Sequence, residues 1–300
     1  MTEAMPRLSV IVTADGPLCS GPVSRVVAAA NRVGPGVEMI LAYSSDDPGS
    51  PANEPTFAGL IVIRLPAAAT LPDLLGAALA RATGAIIAIT DATCEVPESW
   101  AAEILKAHAA PHPVIGGAVE PNGLRRVVNW AAYFCDYGQF MRPLADGAAT
   151  ELPGNNISVK RWTLERGKEF VIPQFWKTYW CRSLQAEGIS LCSAPSIVVY
   201  YRKSVRLVPY LLHRFQNGRC FAGMRLRELS RSRRALYIVM APVLPIVLTG
   251  RMLRKTLRKR RHLTALVLAL PIVLLAILCW ALGELCGYLM GPGLSCDHVR

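Results

Sequence analysis

AIIAIT, residues Ala85–Thr90, runs directly into Asp91, and the reading of this stretch decides the fold. The run is apolar without alternation, the pattern of a strand buried on both faces of a largely parallel sheet. Working outward, similar short runs stand at Leu8–Ala14 (LSVIVTA), Val37–Tyr43, Leu60–Leu65 and Val114–Val119. Helical periodicity fills the gaps at Val23–Val33, Leu71–Ala82 and Pro97–His108. Pro72 suits a first helical turn and Gly84 closes that helix. Strand–helix alternation of this kind predicts an α/β class, with a doubly wound, mostly parallel sheet.

In such sheets ligands bind beyond the carboxyl ends of the strands. Three of those ends carry acids here: Asp15, the pair Asp46 and Asp47, and Asp91. They fit either a metal–nucleotide site or ordinary turns, since Asp is common after strands.

From residue 122 the composition changes. An aromatic helix is expected over Leu124–Met141, then a turn at Leu152-Pro153-Gly154-Asn155-Asn156, and a second aromatic helix over Gln174–Gly188. A strand pair is expected within Ser190–Lys203 and a basic helix over Val205–Leu229. Nine cysteines are scattered singly with no C-x-x-C pair, which reads as small buried hydrophobes in a reducing compartment. Met1–Arg7 leads straight into a strand, so no cleavable leader is expected.

The net charge is +12 and the hydrophobic share 52%, but both are concentrated late in the chain. Residues 1–229 hold 22 Lys/Arg against 19 Asp/Glu, whereas residues 230–262 hold ten Lys/Arg and no acid. That basic segment brackets a short apolar helix, 235–249, with Pro242 and Pro245. It fits an interfacial or re-entrant helix, or a tilted span. Leu263–Met290 follows with one charge, Glu284, in 28 residues. At about 1.5 Å per residue it exceeds the ~30 Å hydrocarbon core and is read as a transmembrane segment. The expected organisation is a domain over 1–229, a basic membrane-interface segment over 230–262, a membrane segment over 263–290 and a tail over 291–300. Basic flanks belong to the cytoplasmic side of an inner or plasma membrane, which argues against a nucleic-acid role for Arg254–Arg261.

Taken in order, several motifs resemble the family 2 glycosyltransferases of the GT-A fold, in a membrane-anchored branch. Ser9-Val10-Ile11-Val12 resembles the opening strand. Asp91-Ala92-Thr93, with Pro97 and Trp100, resembles the D-x-D segment and its P-x-x-W. Ile115-Gly116-Gly117-Ala118-Val119-Glu120 resembles the next strand, and Leu152–Asn156 with Ile157-Ser158 the L-x-G-x-N acceptor segment. Phe175-Trp176-Lys177-Thr178 stands where the branch has F-W-E-T or an E-D pair, and Gln216-Asn217-Gly218-Arg219 resembles its Q-x-G-R run.

The resemblance implies an inverting transfer from a nucleotide-diphosphate sugar to a lipid-linked or polysaccharide hydroxyl at a membrane. Mg²⁺ or Mn²⁺ on Asp91 would neutralise the leaving diphosphate. Asp15, Asp46, Asp47, Asp91, Gln216 and Arg219 would hold the donor, with Arg219 offering a bidentate fork to phosphate. Gly154, Asn155 and Asn156 would face the acceptor, and Trp176 and Lys177 would occupy the catalytic position. Two departures matter. Thr93 replaces the second acid, and Lys177 replaces the carboxylate base; Glu165 and Glu169 are the nearest acids upstream. These departures raise the alternative of a non-catalytic protein that keeps the fold and binds a nucleotide sugar or a partner enzyme.

Overall fold

The computed structural model describes residues 7–14, 20–46, 57, 59–226 and 229–299. It divides into two compact units. One comprises residues 1–122 and 142–202, the other 123–141 and 203–300.

The first unit is a sheet with helices. Its strands are β1 (Leu8–Ala14), β2 (Val37–Ser44), β3 (Ile61–Leu65), β4 (Ile86–Asp91), β5 (Cys94–Glu95), β6 (Val114–Pro121), β7 (Gly147–Ala149), β8 (Ile157–Lys160) and β9 (Leu191–Tyr201). The order is β3-β2-β1-β4-β8-β6-β9-β5, with β7 also on β9. β1, β2, β3 and β4 are parallel, as are β6 and β9. β8 enters antiparallel between β4 and β6, so these two point the same way. The mostly parallel sheet expected from the sequence is therefore present. Its helices are α1 (Ser20–Val33), α2 (Leu71–Arg81), α3 (Trp100–His108) and α5 (Lys177–Ala186). α2 starts on a capping box of Thr70 with Asp73. Ile11, Ile40, Leu74, Ile87, Trp180 and Leu184 belong to one buried core cluster.

The expected strand pair within Ser190–Lys203 is instead the single strand β9. Its pairing with β6 shifts register between Gly117 and Ala118, and Pro195 falls in the shift, where it breaks no ladder bond.

The second unit is helical: α4 (Val127–Asp136), α6 (Leu207–Arg225), α7 (Arg231–Met240), α8 (Leu244–Leu257) and α9 (Leu263–Met290). The aromatic helix expected over Leu124–Met141 is shorter, ending at Asp136 before a 3₁₀ turn at Gly138–Phe140. α7 and α8 form a nearly continuous rod, Arg231–Leu257, through a 3₁₀ turn at Ala241–Val243 that contains Pro242. The rod and α9 are long and apolar enough to cross a membrane.

Glycine seats α6 directly on α9. A Cβ on Gly218 would lie 2.2 Å from the Trp280 carbonyl oxygen, and one on Gly283 2.1 Å from that of Phe215. Gly287 meets the Arg219 carbonyl at 2.5 Å by the same measure. The contacts advance together along both helices, so α6 runs parallel to the C-terminal half of α9. Gly283 and Gly287 form a G-x-x-x-G pair, a spacing that admits close backbone approach between apolar helices.

Cys220 is disulfide-bonded to Cys296, which corrects the expectation that all nine cysteines stand singly as small buried hydrophobes. The pairing was invisible in the sequence because the two residues are 76 apart. It arises where the tail after α9 folds over the end of α6. Cys220 is sealed from solvent, which slows attack by reductants.

Candidate functional site

The carboxyl end of β4 is the start of the site. Asp91 closes the strand, and its Oδ1 accepts hydrogen bonds from the Thr93 backbone N–H at 2.7 Å and from the Thr93 hydroxyl. Thr93 thus orients the aspartate in a tight turn where a second carboxylate would repel it. The chain then pairs as β5 with the end of β9, placing Cys94 beneath the turn and fully buried. Burial, reinforced by the Asp91 carboxylate, pushes the Cys94 thiol well above its ordinary range. It is therefore a neutral, inert group at neutral pH.

Cys94 is where two separate sequence motifs meet. The Asn155 amide nitrogen lies 3.1 Å from its sulfur, so the Leu152–Asn156 loop is brought to the Asp91 turn. Asn155 is buried, yet its Oδ1 has no partner among the described residues. An orphaned buried acceptor is uncommon and marks a place where a ligand or water donor is wanted. Asn156 has a different task. Its Oδ1 accepts the Trp100 indole N–H at 3.0 Å, and its Nδ2 donates to the carbonyls of Ala118 (2.9 Å) and Ile197 (3.0 Å). It therefore satisfies carbonyls at the register shift between β6 and β9. Gly117 makes room for it: a Cβ there would lie 2.3 Å from the Asn156 amide nitrogen. Gly154 has no crowding neighbour and no left-handed backbone.

The other end of the same loop meets Lys177, the first residue of α5. Its ammonium donates to the Leu152 carbonyl at 2.5 Å. Burial lowers the lysine pKa, opposed by the Cys181 thiol and the Glu151 carboxylate. Its place at a helix N-terminus, with no acid in the first turn, also disfavours the cation. Trp176 precedes it, half-buried, its indole N–H on the Gln174 side-chain oxygen at 3.2 Å. Gln174 in turn donates to Asp73 at 2.8 Å, fixing this segment to the start of α2. Glu165 and Glu169 are both exposed, and Glu165 pairs with Lys168 at 3.3 Å. Glu151 is the carboxylate that acts electrostatically on Lys177, a residue passed over in the sequence.

Lys177 thus meets one end of the Leu152–Asn156 loop, and the Asp91–Cys94 turn meets the other. Asp46 accepts the Ala67 backbone N–H at 2.8 Å and is exposed. Asp15 and Asp47 lie outside the described residues. Gln216 and Arg219 belong to α6 in the helical unit; Arg219 donates through Nε to the Gly291 carbonyl at 3.1 Å, at the end of α9.

Beside the turn, Glu95 is buried under Arg202, with Arg25 at 3.8 Å and the Asn122 amide at 3.2 Å. Glu95, Arg25 and Asn122 line an open cavity of about 420 Å³ with Pro121 and Tyr200. Sequence reasoning missed both Cys94 and this arginine-bound glutamate, because β5 is only two residues long. Among the described residues no three His, Cys, Asp or Glu side chains gather as a metal set. Asp91 alone still fits Mg²⁺ or Mn²⁺ delivered with a diphosphate, since such ions need only one or two protein carboxylates.

No family model and no curated protein matches the sequence. Among solved structures, the chain is similar to the mannosyltransferase PcManGT from Pyrobaculum calidifontis, determined in complex with GDP-Man and Mn²⁺. Identity is 17%, the match covers 96% of this chain and 88% of that one, and the TM-score is 0.59. A mycobacterial protein matches at 14% identity over 67% of this chain and 68% of its own, with a TM-score of 0.43. The first match shows that the chain has a glycosyltransferase fold.

Proposed function

We propose that the protein is a membrane-associated inverting glycosyltransferase of the family 2 kind, using a nucleotide-diphosphate sugar. The observation that carries this reading is the approach of the Asp91–Cys94 turn and of Lys177 to a common loop. It joins a carboxylate suited to the diphosphate and a lysine suited to take a proton to the two ends of one loop, Leu152–Asn156. The mannosyltransferase match supports a donor of the GDP-mannose class and a divalent metal. Asp91 would hold that metal, which supplies Lewis-acid neutralisation of the leaving diphosphate.

In this reading Lys177 would take the acceptor proton. In its neutral form the amine keeps a hydrogen for the Leu152 carbonyl and offers its lone pair. The acceptor oxygen would bond to the anomeric carbon as the bond to the diphosphate oxygen breaks. The hydroxyl proton passes to Lys177 Nζ. Trp176 would wall the acceptor side, and the orphaned Asn155 Oδ1 would take a hydroxyl donor. The acceptor is a lipid-linked or glycan hydroxyl at the cytoplasmic face of an inner or plasma membrane, a setting that favours a lipid.

A second reading is supported by Thr93, whose hydroxyl is spent on Asp91: a non-catalytic protein that binds the nucleotide sugar. One experiment separates the two. Transfer and hydrolysis are measured over a panel of nucleotide sugars with Mn²⁺, for the native chain, Asp91→Asn and Lys177→Arg. Transfer is expected, with kcat falling about 10²- to 10⁴-fold in Lys177→Arg, the range for a lost general base. The native activity should rise with pH and level off below the usual lysine range, because Lys177 must be neutral and its pKa is lowered. Nucleotide binding without turnover of any donor would replace the catalytic reading with the second one.

A further inference from the structure

We infer, on the transferase reading proposed above, that Trp176 is a stacking platform for a sugar ring. The acceptor is then a saccharide, free or lipid-linked, and not the headgroup of a bare lipid.

The fold makes little use of this indole. Around it, aromatic packing is dense: Phe175 meets Trp180 at 5.5 Å and Phe170 meets Tyr179 at 5.8 Å between ring centroids. Phe175 and Trp180 belong to the buried core cluster of the sheet unit, and Phe170 packs against it. Trp176 stands between them in the sequence yet is outside that cluster and only half-buried. Among the described residues no other aromatic ring stacks on it. Core packing therefore does not account for an indole at this position.

Its orientation is nevertheless fixed. Residues 173–176 lie flush on the start of α2: a Cβ on Gly76 would lie 1.9 Å from the Pro173 carbonyl oxygen, and the Phe175 N–H donates to the Pro72 carbonyl at 2.9 Å. The Trp176 backbone N–H donates to the Phe170 carbonyl at 2.7 Å. The indole N–H is held by Gln174 and Gln174 by Asp73, whose other carboxylate oxygen takes the Thr70 N–H at 2.8 Å and hydroxyl at 2.6 Å. That path ends in α2, where Leu74, Leu75, Ala78 and Leu79 are buried. The N–H is the only hydrogen-bonding group of an indole. With it spent inside the protein, Trp176 has an apolar face to offer and no donor. A face ordered in advance loses little conformational freedom when a ligand covers it. Gln174 is thus a positioning residue for the ring.

The neighbours of this face are polar. Lys177 follows directly and donates to the Leu152 carbonyl, and the same loop carries the orphaned Asn155 Oδ1. From Leu152 to Asn155 the chain reaches about 10 Å at most, a span that a short saccharide covers. A pyranose presents C–H faces and a rim of hydroxyl donors, and so fits an indole face beside groups that accept protons. A bare lipid phosphate has no such face. It calls for cations, and burial disfavours the charge on Lys177.

The test is saturation-transfer NMR on the full chain in detergent, with mannotriose, cellotriose and maltotriose as probes. Saturation is expected on the pyranose C–H protons of at least one. Its affinity should fall about tenfold in Trp176→Ala and hold within about threefold in Trp176→Phe, which keeps a stacking face. Gln174→Ala should weaken the same probe, and lose that effect in the Trp176→Phe background, where no N–H needs orienting. Urea midpoints check folding; if Trp176→Ala does not fold, Trp176→Phe and Gln174→Ala carry the result. Equal affinity in the native, Trp176→Ala and Gln174→Ala chains would overturn the platform, as would no binding of any probe. Transfer onto a polyprenyl phosphate that Trp176→Ala leaves unchanged would overturn the saccharide assignment. Trisaccharide binding through Trp176 without turnover of any donor keeps the platform and removes the transferase reading, so the two fail separately.

Discussion

Gly117 in the sheet unit and Gly283 in the helical unit omit a side chain for opposite ends. At Gly117 the space admits a polar clamp, the Asn156 amide, together with the Ile197 carbonyl that it satisfies. At Gly283 it admits another helix's backbone, the Phe215 carbonyl. One unit is pinned by hydrogen bonds at an irregular point of its sheet. The other is pinned by contact between regular helices that need no such repair. Close approach therefore serves polar satisfaction in one unit and dispersion in the other. The same sheet irregularity that requires Asn156 also fixes its neighbour Asn155 at the candidate site.

The contrast can be broken from the helical side first. Gly283→Leu should cost more than about 4 kcal/mol, because backbone on both sides prevents collapse around the new atoms. Thermal unfolding in detergent should lose the helical unit's transition, while Gly250→Leu, with nothing within 4 Å of its Cβ, leaves it in place. The sheet unit is broken more gently. Asn156→Leu leaves the Trp100 indole N–H and two buried carbonyls unpaired and should cost about 2–4 kcal/mol by urea unfolding. Its effect should fall on the sheet unit and be matched in direction by Gly117→Ala.

Acid sharpens the contrast with the smallest effect. His108 is buried against the Ser158 hydroxyl at 2.9 Å, and burial drops its pKa from 6.5 to about 4. The unfolded chain takes up this proton first, so the stabilisation is complete above about pH 6.5 and is lost as pH falls toward 4. The loss should be roughly 2–3 kcal/mol, at about 1.4 kcal/mol per pKa unit. It should be confined to the sheet unit and be absent in His108→Gln.

The sequence disclosed the sheet well, because β1, β2 and β4 are apolar runs whose burial leaves no ambiguity of period. It disclosed less where pairing is distant. β8 gives no local sign that it enters antiparallel between β4 and β6, and β5 is too short to register. Asp91, Asn155 and Lys177 were legible as types in a resembling order, but their meeting through Cys94 depends on the β5–β9 pairing. Arg219 was read for its fork; its bond to Gly291 follows from the α6–α9 packing. The G-x-x-x-G of Gly283 and Gly287 was open to inspection and was passed over, since Leu263–Met290 was read by hydropathy alone.

The glycine seam also has a consequence for synthesis. α6 leaves the ribosome well before α9, with α7 and α8 between them. Until α9 emerges, the bare backbone at Gly218 has nothing against it, and the surface meant for Gly283 stays open to any other small-residue helix. Domains close in the order in which their parts become available during translation. The sheet unit can complete itself once β9 is made, but the helical unit must wait for the chain's last long helix. Newly made protein will therefore pass through a stage in which the sheet unit is folded and the helical unit is unfinished.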